Sequence, residues 1–78
     1  MRVQVRYFAR LRELKACTAE EVELDAPTSV AGLYAQLFPP GPEGVLPVMY
    51  AVNQAYVAPL HALRDGDEVA FIPPLGGG

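Results

Sequence analysis

The sequence predicts a small α+β fold in which one helix covers one face of a mixed β-sheet. Two segments near the start alternate polar and apolar residues, one amphipathic helical segment follows, and further extended segments lead to a strand near the C-terminus. The chain has 78 residues, of which 51% are hydrophobic, and a chain this short has room for one core. We therefore expect a single domain over residues 1–78, with a flexible tail at residues 74–78.

The first two strands are predicted from a two-residue alternation. Residues 2–8 (RVQVRYF) and residues 20–24 (EEVEL) both alternate, and the second is expected to run antiparallel to the first. The inward-facing residues are Val3, Val5, Tyr7, Val22 and Leu24, with the acids of the second strand outward. Residues 9–16 contain good helix formers, with Leu11 and Leu14 three apart, and are long enough for a short turn of helix but not for a helix that is stable by itself. We interpret them as a connecting turn.

One amphipathic helix is predicted after the second strand. Its apolar residues recur at helical spacing and are Val30, Leu33, Tyr34 and Leu37. Thr28 or Ser29 can cap its first amide donors. Gly32 is expected to weaken it by about 1 kcal/mol relative to alanine. The helix should stop near Phe38, because PPGPEG follows at residues 39–44.

The second half of the chain predicts three further strands. Residues 46–53 (LPVMYAVN) are nearly continuous in apolar residues, as in a central strand. Residues 53–57 (NQAYV) offer a tight turn at Asn53 and Gln54 and then a short strand. The turn RDGD at residues 64–67 precedes the last strand, residues 68–73 (EVAFIP). In that strand one face carries Val69 and Phe71, and the other carries Ala70 and Ile72.

This order of elements suits a ubiquitin-like β-grasp, in which the first and last strands pair in parallel and the helix covers one face. The sheet is expected to have four to five strands. A ferredoxin-like arrangement is the competing fold, but the sequence offers no second long helix for it.

Composition and charge exclude several classes of function. The net charge is −3, although five of the six basic residues lie in the first fifteen positions. That cluster is either a docking surface for an acidic partner or, as Arg2, Gln4 and Arg6 suggest, the solvated face of a strand. An acidic chain repels phosphates, so nucleic acid is not an expected partner. A membrane partner is not expected either, because no segment approaches roughly 20 apolar residues. With a single cysteine, Cys17, and no signal-peptide pattern, we expect a cytoplasmic protein.

The usual catalytic and metal-binding constellations are missing from the sequence. His61 is the only histidine and is interpreted as an ordinary loop residue. Asp65, Asp67 and Glu68 surround a glycine turn and fall short of the ligand set of a calcium loop, so they are interpreted as turn formers. No phosphate-binding loop is present. We expect no catalytic residue, no metal site and no cofactor bound by the chain itself.

The C-terminal PPLGGG, residues 73–78, has no ready structural explanation. Pro73 and Pro74 favour an extended chain, and glycines present bare backbone that fits a channel too narrow for a Cβ. The terminal carboxylate of Gly78 could be activated by another protein as an acyl-adenylate. The alternative is an inert, loose end.

Three stretches resemble the MoaD and ThiS family of ubiquitin-like sulfur carriers, with the MoaD branch most similar. They are FARLREL at residues 8–14, AVNQAYV at residues 51–57 and LRDGDEVAFIPPLGGG at residues 63–78. The resemblance implies the role of a sulfur-carrying small subunit of molybdopterin synthase, with no catalytic activity of its own. An E1-like, MoeB-like enzyme would use ATP to adenylate Gly78, and a sulfur donor would convert the adenylate to a thiocarboxylate.

The resemblance also implies how the tail is used. The tail, Pro74, Leu75, Gly76 and Gly77, would enter a MoaE-like large subunit within a heterotetramer and deliver sulfur to precursor Z. Gly76 stands where many relatives have another small residue. For docking we select Phe8, Leu11, Phe71, Pro73 and Leu75 as apolar residues flanking the tail, with Arg10 or Arg12 at a polar rim. Core packing is an equally open role for Leu11 and Phe71.

Other functions remain open at this point. The compact FPPGPEG at residues 38–44 departs from relatives that are often longer there, which leaves the partner's identity open. The same tail would serve a carrier for thiamine or tRNA thiolation, or a ubiquitin-like protein modifier. A non-covalent β-grasp interaction module is an alternative of another class, and for it Gly78 would be dispensable.

Overall fold

The computed structural model describes residues 1–42 and 46–74. Within them the chain forms five strands and two helices. In chain order these are β1 (Arg2–Tyr7), α1 (Ala9–Lys15), β2 (Ala19–Glu23), α2 (Val30–Leu37), β3 (Met49–Val52), β4 (Ala55–Val57) and β5 (Glu68–Ile72). The strands form one sheet in the order β2-β1-β5-β3-β4. Neither α1 nor α2 is long and apolar enough to cross a membrane.

The first and last strands lie side by side at the centre of the sheet, as the β-grasp prediction requires. β1 and β5 pair in parallel, with Gln4 opposite Glu68 and Tyr7 opposite Phe71. The other neighbours, β1 with β2, β3 with β4 and β3 with β5, pair antiparallel. Both ends of the chain are thereby tied into the middle of the sheet.

The hydrophobic core lies between α2 and one face of the sheet. Strand residues reach it at every second position, because side chains of a strand alternate between faces. Its fully buried members include Val3, Val5, Tyr7, Leu33, Val69 and Phe71. Val30, Leu33 and Tyr34 contribute the buried stripe of α2, as their spacing predicts. The opposite face of the sheet has no helix over it among the described elements.

Residues 9–15 form a helix of seven residues, where the sequence predicted only a short helical turn as a connection. Leu11 on α1 is only 1% exposed. Ala16 ends the helix in the left-handed conformation, with φ at 58°, and its N–H donates to Glu13. Isolated helices of this length are unstable in water. In the folded protein α1 is also stabilised by burial of Leu11 in the core, which helix propensity does not include.

The α2 N-terminus shows which candidate caps the helix. Ser29 is the N-cap, and its side chain accepts a hydrogen bond from the Gly32 N–H at 3.0 Å. A Cβ at position 32 would lie 2.3 Å from the Thr28 hydroxyl oxygen. Alanine at position 32 would therefore have to displace the Thr28 hydroxyl, which opposes the gain expected from helix propensity.

The two predicted turns are confirmed, and strand β3 is shorter than expected. Asn53 and Gln54 both have positive φ, 51° and 69°, as tight hairpin turns require. Gly66 has φ at 86°. β3 begins at Met49 and not at residue 46, since Pro47 has no N–H to contribute to a ladder.

Asp65 and Asp67 are turn formers, as predicted, whereas Glu68 is the first residue of β5. An Asp65 carboxylate oxygen accepts a hydrogen bond from the Arg2 N–H at 2.8 Å. Asp67 accepts from the Arg64 N–H at 2.7 Å and from the Asn53 side-chain amide at 3.0 Å. These bonds fix the turn that leads into β5.

Candidate functional site

The uncovered face of the sheet is divided into a charged half and an apolar half. On β1 and β2, the Arg2 guanidinium lies 3.4 Å from Glu21 and 3.5 Å from Glu23. Gln4 also donates to Glu21. These strand positions are the solvated face that the sequence suggested. The half formed by β5, β3 and β4 carries mainly apolar side chains.

The apolar half contains a groove that we name the open-face groove. It has a volume of about 380 Å³. Its lining residues are Arg6, Phe8, Ala51, Gln54, Tyr56, Glu68, Ala70 and Ile72. Strand register places four of them in one row across the sheet, because Arg6 pairs with Ala70, Ala70 with Ala51, and Ala51 with Tyr56. Two alanines therefore form the floor, with larger side chains on both sides.

The groove lies where β5 leaves the sheet. Ile72 is the last residue of β5 and lines the groove, and Pro73 follows it, half-buried. Pro74 is exposed and is the last residue that the structure describes. The predicted tail residues Leu75, Gly76, Gly77 and Gly78 lie outside the described residues. Any protein that binds the tail close to its root must approach this part of the sheet.

The predicted docking residues fall into three groups. Phe8 is 41% exposed and lines the groove, and Pro73 adjoins it. Arg10 and Arg12 are exposed on α1. Arg10 lines a different cleft, between α1 and the end of α2, where Lys15 lies 5.1 Å from the centroid of the Phe38 ring. Phe8 therefore lines the groove, Pro73 directly follows its lining residue Ile72 in sequence, and Arg10 lies outside it.

Leu11 and Phe71 cannot serve as surface docking residues in this structure. Leu11 is 1% exposed and Phe71 is 0% exposed, so the placement of both at a docking surface is corrected to core packing. Phe71 faces α2 because it alternates with Ala70 and Ile72, which face the groove. The Phe71 ring contacts Tyr34, with 4.9 Å between ring centroids.

Of the eight residues that line the groove, sequence reasoning named only Phe8 as a site residue. Tyr56 is 67% exposed on β4, and Ala51 and Ala70 form the floor. The alternation of β5 already placed Ala70 and Ile72 opposite Phe71. The positions of Ala51 and Tyr56 depend on the pairing register of β3 with its two neighbours, for which the sequence gives no direct signal.

Electrostatics in the groove centre on one ion pair. The Nε atom of Arg6 lies 3.4 Å from a Glu68 carboxylate oxygen. Both side chains are in contact with solvent, at 57% exposed for Arg6 and 36% for Glu68, so the pair adds little to stability. This contact uses Nε, and the two terminal nitrogens of the guanidinium are further donors.

A tyrosine–glutamate pair lies on the core side of β1 and β2. The buried Tyr7 hydroxyl donates to Glu20 at 2.5 Å. The expectation that every acid of β2 faces outward was therefore wrong for Glu20, because a buried hydroxyl needs an acceptor. Burial, and then the bond to this carboxylate, raise the pKa of Tyr7 well above its usual value. The pair closes one end of the core.

We expect Tyr7→Phe to lower the free energy of unfolding by about 1–2 kcal/mol near pH 7, because a hydrogen bond to a charged acceptor is lost. Since folding raises the pKa of Tyr7, its stabilising contribution is present below pH about 10 and decreases at higher pH. The difference between wild type and variant should then shrink by about 1.4 kcal/mol per pH unit. Urea unfolding from pH 7 to 11.5 measures it.

Tyr56→Phe is the matched control at pH 7, since its hydroxyl belongs to an exposed side chain. It should change stability by less than about 0.5 kcal/mol. A gap between wild type and Tyr7→Phe that stays constant above pH 10 would contradict the raised pKa.

Comparison with known proteins identifies what the chain is similar to. A model of the ThiS family matches residues 5–78. Two curated relatives named molybdopterin synthase sulfur carrier subunit come from Mycobacterium tuberculosis and Chlamydomonas reinhardtii. The first is 45% identical over 85 residues, covering 100% of this chain and 99% of the relative. The second is 41% identical over 83 residues, covering 100% of both.

Solved structures agree with the fold. SAMP1 from Haloferax volcanii superposes with a TM-score of 0.76 at 25% identity, covering 100% of both chains. A chain from the complex of subunits 1 and 2 of molybdopterin-converting factor from Helicobacter pylori superposes with a TM-score of 0.65 at 26% identity, again over 100% of both. The α+β fold with a ubiquitin-like β-grasp is thereby confirmed.

Proposed function

Because the chain belongs to the ThiS family, we propose that it is the sulfur-carrying small subunit of a molybdopterin synthase. The observation that carries this proposal is the end-to-end similarity to relatives named molybdopterin synthase sulfur carrier subunit, up to 45% identical. In this role the chain is a substrate and a subunit, and its partners supply the catalytic groups.

The position of β5 supports the proposed use of the tail. β5 is held at the centre of the sheet by β1 on one side and β3 on the other, and Phe71 anchors it in the core. Two prolines follow directly, and they restrict the backbone to extended conformations. A rigid strand that ends in a stiff segment gives a C-terminal extension a fixed point of departure from the domain.

We propose Gly78 as the modified residue. Its carboxylate oxygen would attack the α-phosphate of ATP in an E1-like activating enzyme and displace pyrophosphate. A sulfide-level sulfur donor would then attack the acyl carbon and displace AMP, which leaves a thiocarboxylate. The bare backbone of Gly76 and Gly77 would pass through channels that a Cβ would block.

The proposed partner at the open-face groove is the large synthase subunit. A structural relative from Helicobacter pylori was solved as a complex of subunits 1 and 2 of molybdopterin-converting factor. Phe8 and Tyr56 are exposed aromatic residues beside the root of the tail, and aromatic residues are enriched at protein interfaces. We extend the proposal to an assembly of two small and two large subunits in the cytoplasm.

Intact-mass spectrometry tests the function. The full chain is incubated with ATP, an E1-like activating enzyme from the same organism and sulfide. We expect a mass gain equal to the replacement of one oxygen by sulfur, located in the C-terminal peptide, and none when ATP is omitted. Failure to gain sulfur with the activating enzyme, while a known carrier gains it, would overturn the proposal.

A ubiquitin-like protein modifier is the second candidate, favoured by the similarity to SAMP1. A related structure, 24% identical with a TM-score of 0.77, is named small archaeal modifier protein 1. A modifier would form isopeptide bonds between Gly78 and lysines of other proteins. Expression of a tagged chain in its own organism, followed by peptide mapping, separates the two. Lysine remnants of the tail would support modification, whereas conversion of precursor Z by the thiocarboxylate supports the synthase.

A further inference from the structure

We propose that the large synthase subunit inserts one bulky apolar side chain into the open-face groove, over Ala51 and Ala70, beside a carboxylate that pairs with Arg6. This inference rests on the proposed function, since it names the chemistry by which that partner recognises the carrier. It also identifies Ala51 and Ala70 as residues whose small size determines specificity.

The shape of the groove carries the first step. Ala51 and Ala70 lie directly opposite each other on β3 and β5, on the uncovered face. Their neighbours on that face are larger: Tyr56 across the next strand pair, and Ile72 two residues along β5. Alanine is depleted in strands, where β-branched and aromatic residues are preferred. Two adjacent alanines in inner strands leave a depression that a partner's side chain can fill.

The walls of the groove carry the second step. Tyr56 is 67% exposed and Phe8 is 41% exposed. Both side chains are large and mainly apolar, so their burial by a partner would stabilise a complex. Burial of apolar area contributes about 25 cal/mol per Å². Aromatic anchors around a desolvated pocket are the usual location of binding hot spots. An apolar occupant would cover both rings at once.

The length of the tail carries the third step, because the large subunit is proposed to receive Gly78 in its active site. Six residues, 73–78, follow Ile72, and six extended residues span about 20 Å. A partner that holds Gly78 in its active site must therefore contact the domain within about 20 Å of the groove. The groove begins at Ile72, where the tail leaves the sheet, and so it lies within reach of the partner that receives the tail.

Charge carries the last step. The Arg6 side chain is 57% exposed at the groove wall, and its contact with Glu68 runs through Nε. Its terminal nitrogens can bind a carboxylate in the forked geometry that arginine favours. Arg2, on the same face of β1, already lies between Glu21 and Glu23. Arg6 is thus the guanidinium positioned for a partner's carboxylate at the groove.

Filling the floor tests the proposal. Ala51→Leu and Ala70→Leu are made in the full chain, and binding to the large subunit from the same organism is measured by calorimetry. We expect the Kd to rise at least tenfold for each variant. Ala19→Leu is the matched control, because Ala19 pairs with Arg6 at the far end of the same row, outside the groove. Its Kd should stay within twofold of wild type.

Two further variants keep the test independent of folding. Tyr56→Ala removes a largely exposed side chain that lines the groove. It should also raise the Kd for the large subunit at least tenfold without changing the melting temperature. Arg6→Gln should weaken binding several-fold and flatten its dependence on salt, whereas Arg2→Gln should not. Wild-type affinity of both floor variants, or equal loss in Ala19→Leu, would overturn the proposal.

The outcome for the groove is separable from the outcome for the function. If the wild-type chain acquires no sulfur but the floor variants lose the large subunit, the proposed function fails and the groove assignment holds. If the wild-type chain carries sulfur normally and the floor variants bind and transfer as wild type, the function holds and the groove assignment fails.

Discussion

Deletion of Gly77 and Gly78 is expected to abolish sulfur transfer to the large subunit, with a loss of at least about a hundredfold, while the melting temperature stays unchanged. The shortened chain would end at Gly76, about 7 Å short of the original carboxylate when extended. A reacting group displaced by this distance cannot occupy the active site that the full tail reaches. The effect arises in the tail, which contributes no residue to the described core.

Transfer is measured by single-turnover conversion of precursor Z, using carrier whose C-terminal thiocarboxylate is installed before mixing. This arrangement removes the activating enzyme from the experiment. Replacement of Gly78 by tryptophan is the companion variant, since it keeps the chain length and adds only a side chain. A shortened carrier that still transfers sulfur at the wild-type rate would contradict the role of the terminal glycines.

Phe71→Ala is expected to lower the free energy of unfolding by about 3–5 kcal/mol. The Phe71 side chain is fully buried and its ring lies against Tyr34, Tyr50 and Phe38. Removal leaves a cavity in the layer between α2 and β5. A domain of 78 residues has a total stability of only about 4–12 kcal/mol, so this single change removes a large share of it.

Urea unfolding measures this change, and Ile72→Ala is the matched control. Ile72 is the next residue of β5 but faces the groove, so its truncation should cost clearly less than that of Phe71. A Phe71→Ala variant that is as stable as wild type but no longer binds the large subunit would contradict the core position and restore the docking role.

Much of the fold follows from local pattern in the sequence. The alternation of residues 2–8 and 68–73 defines the inner faces of β1 and β5, and a last strand that is apolar on both faces indicates a central position. The turn residues Asn53, Gln54 and Gly66 mark hairpin and loop geometry because few residues tolerate positive φ. These features depend on neighbours in sequence and are therefore readable from it.

The two errors have different origins. The full length of α1 was missed because the stability of a short helix depends on what its buried face contacts, in this case through Leu11. That contact requires knowledge of tertiary packing, which helix propensity does not contain. Glu20 was placed outward although the alternation puts it on the same face as Val22, and only its bond to the Tyr7 hydroxyl depends on a distant segment.

The candidate site, like the fold, could be predicted from the sequence only in part. The tail was identified from its composition and from the resemblance to sulfur carriers, and the docking role of Phe8 and Pro73 stays a prediction. Leu11 and Phe71 were misassigned because an apolar residue near the tail can face either side of the sheet. The floor of the groove needs the register of three strands, and no single segment of the sequence carries that information.

The parallel pairing of β1 with β5 also bears on how the protein is synthesised. β1 can find its central neighbour only after β5 has emerged from the ribosome, so these contacts have high contact order and form late. A nascent chain arrested before β5 lacks the middle of its sheet and remains open to proteases. Completion of the native sheet therefore requires synthesis of the strand that leads directly into the proposed reactive tail.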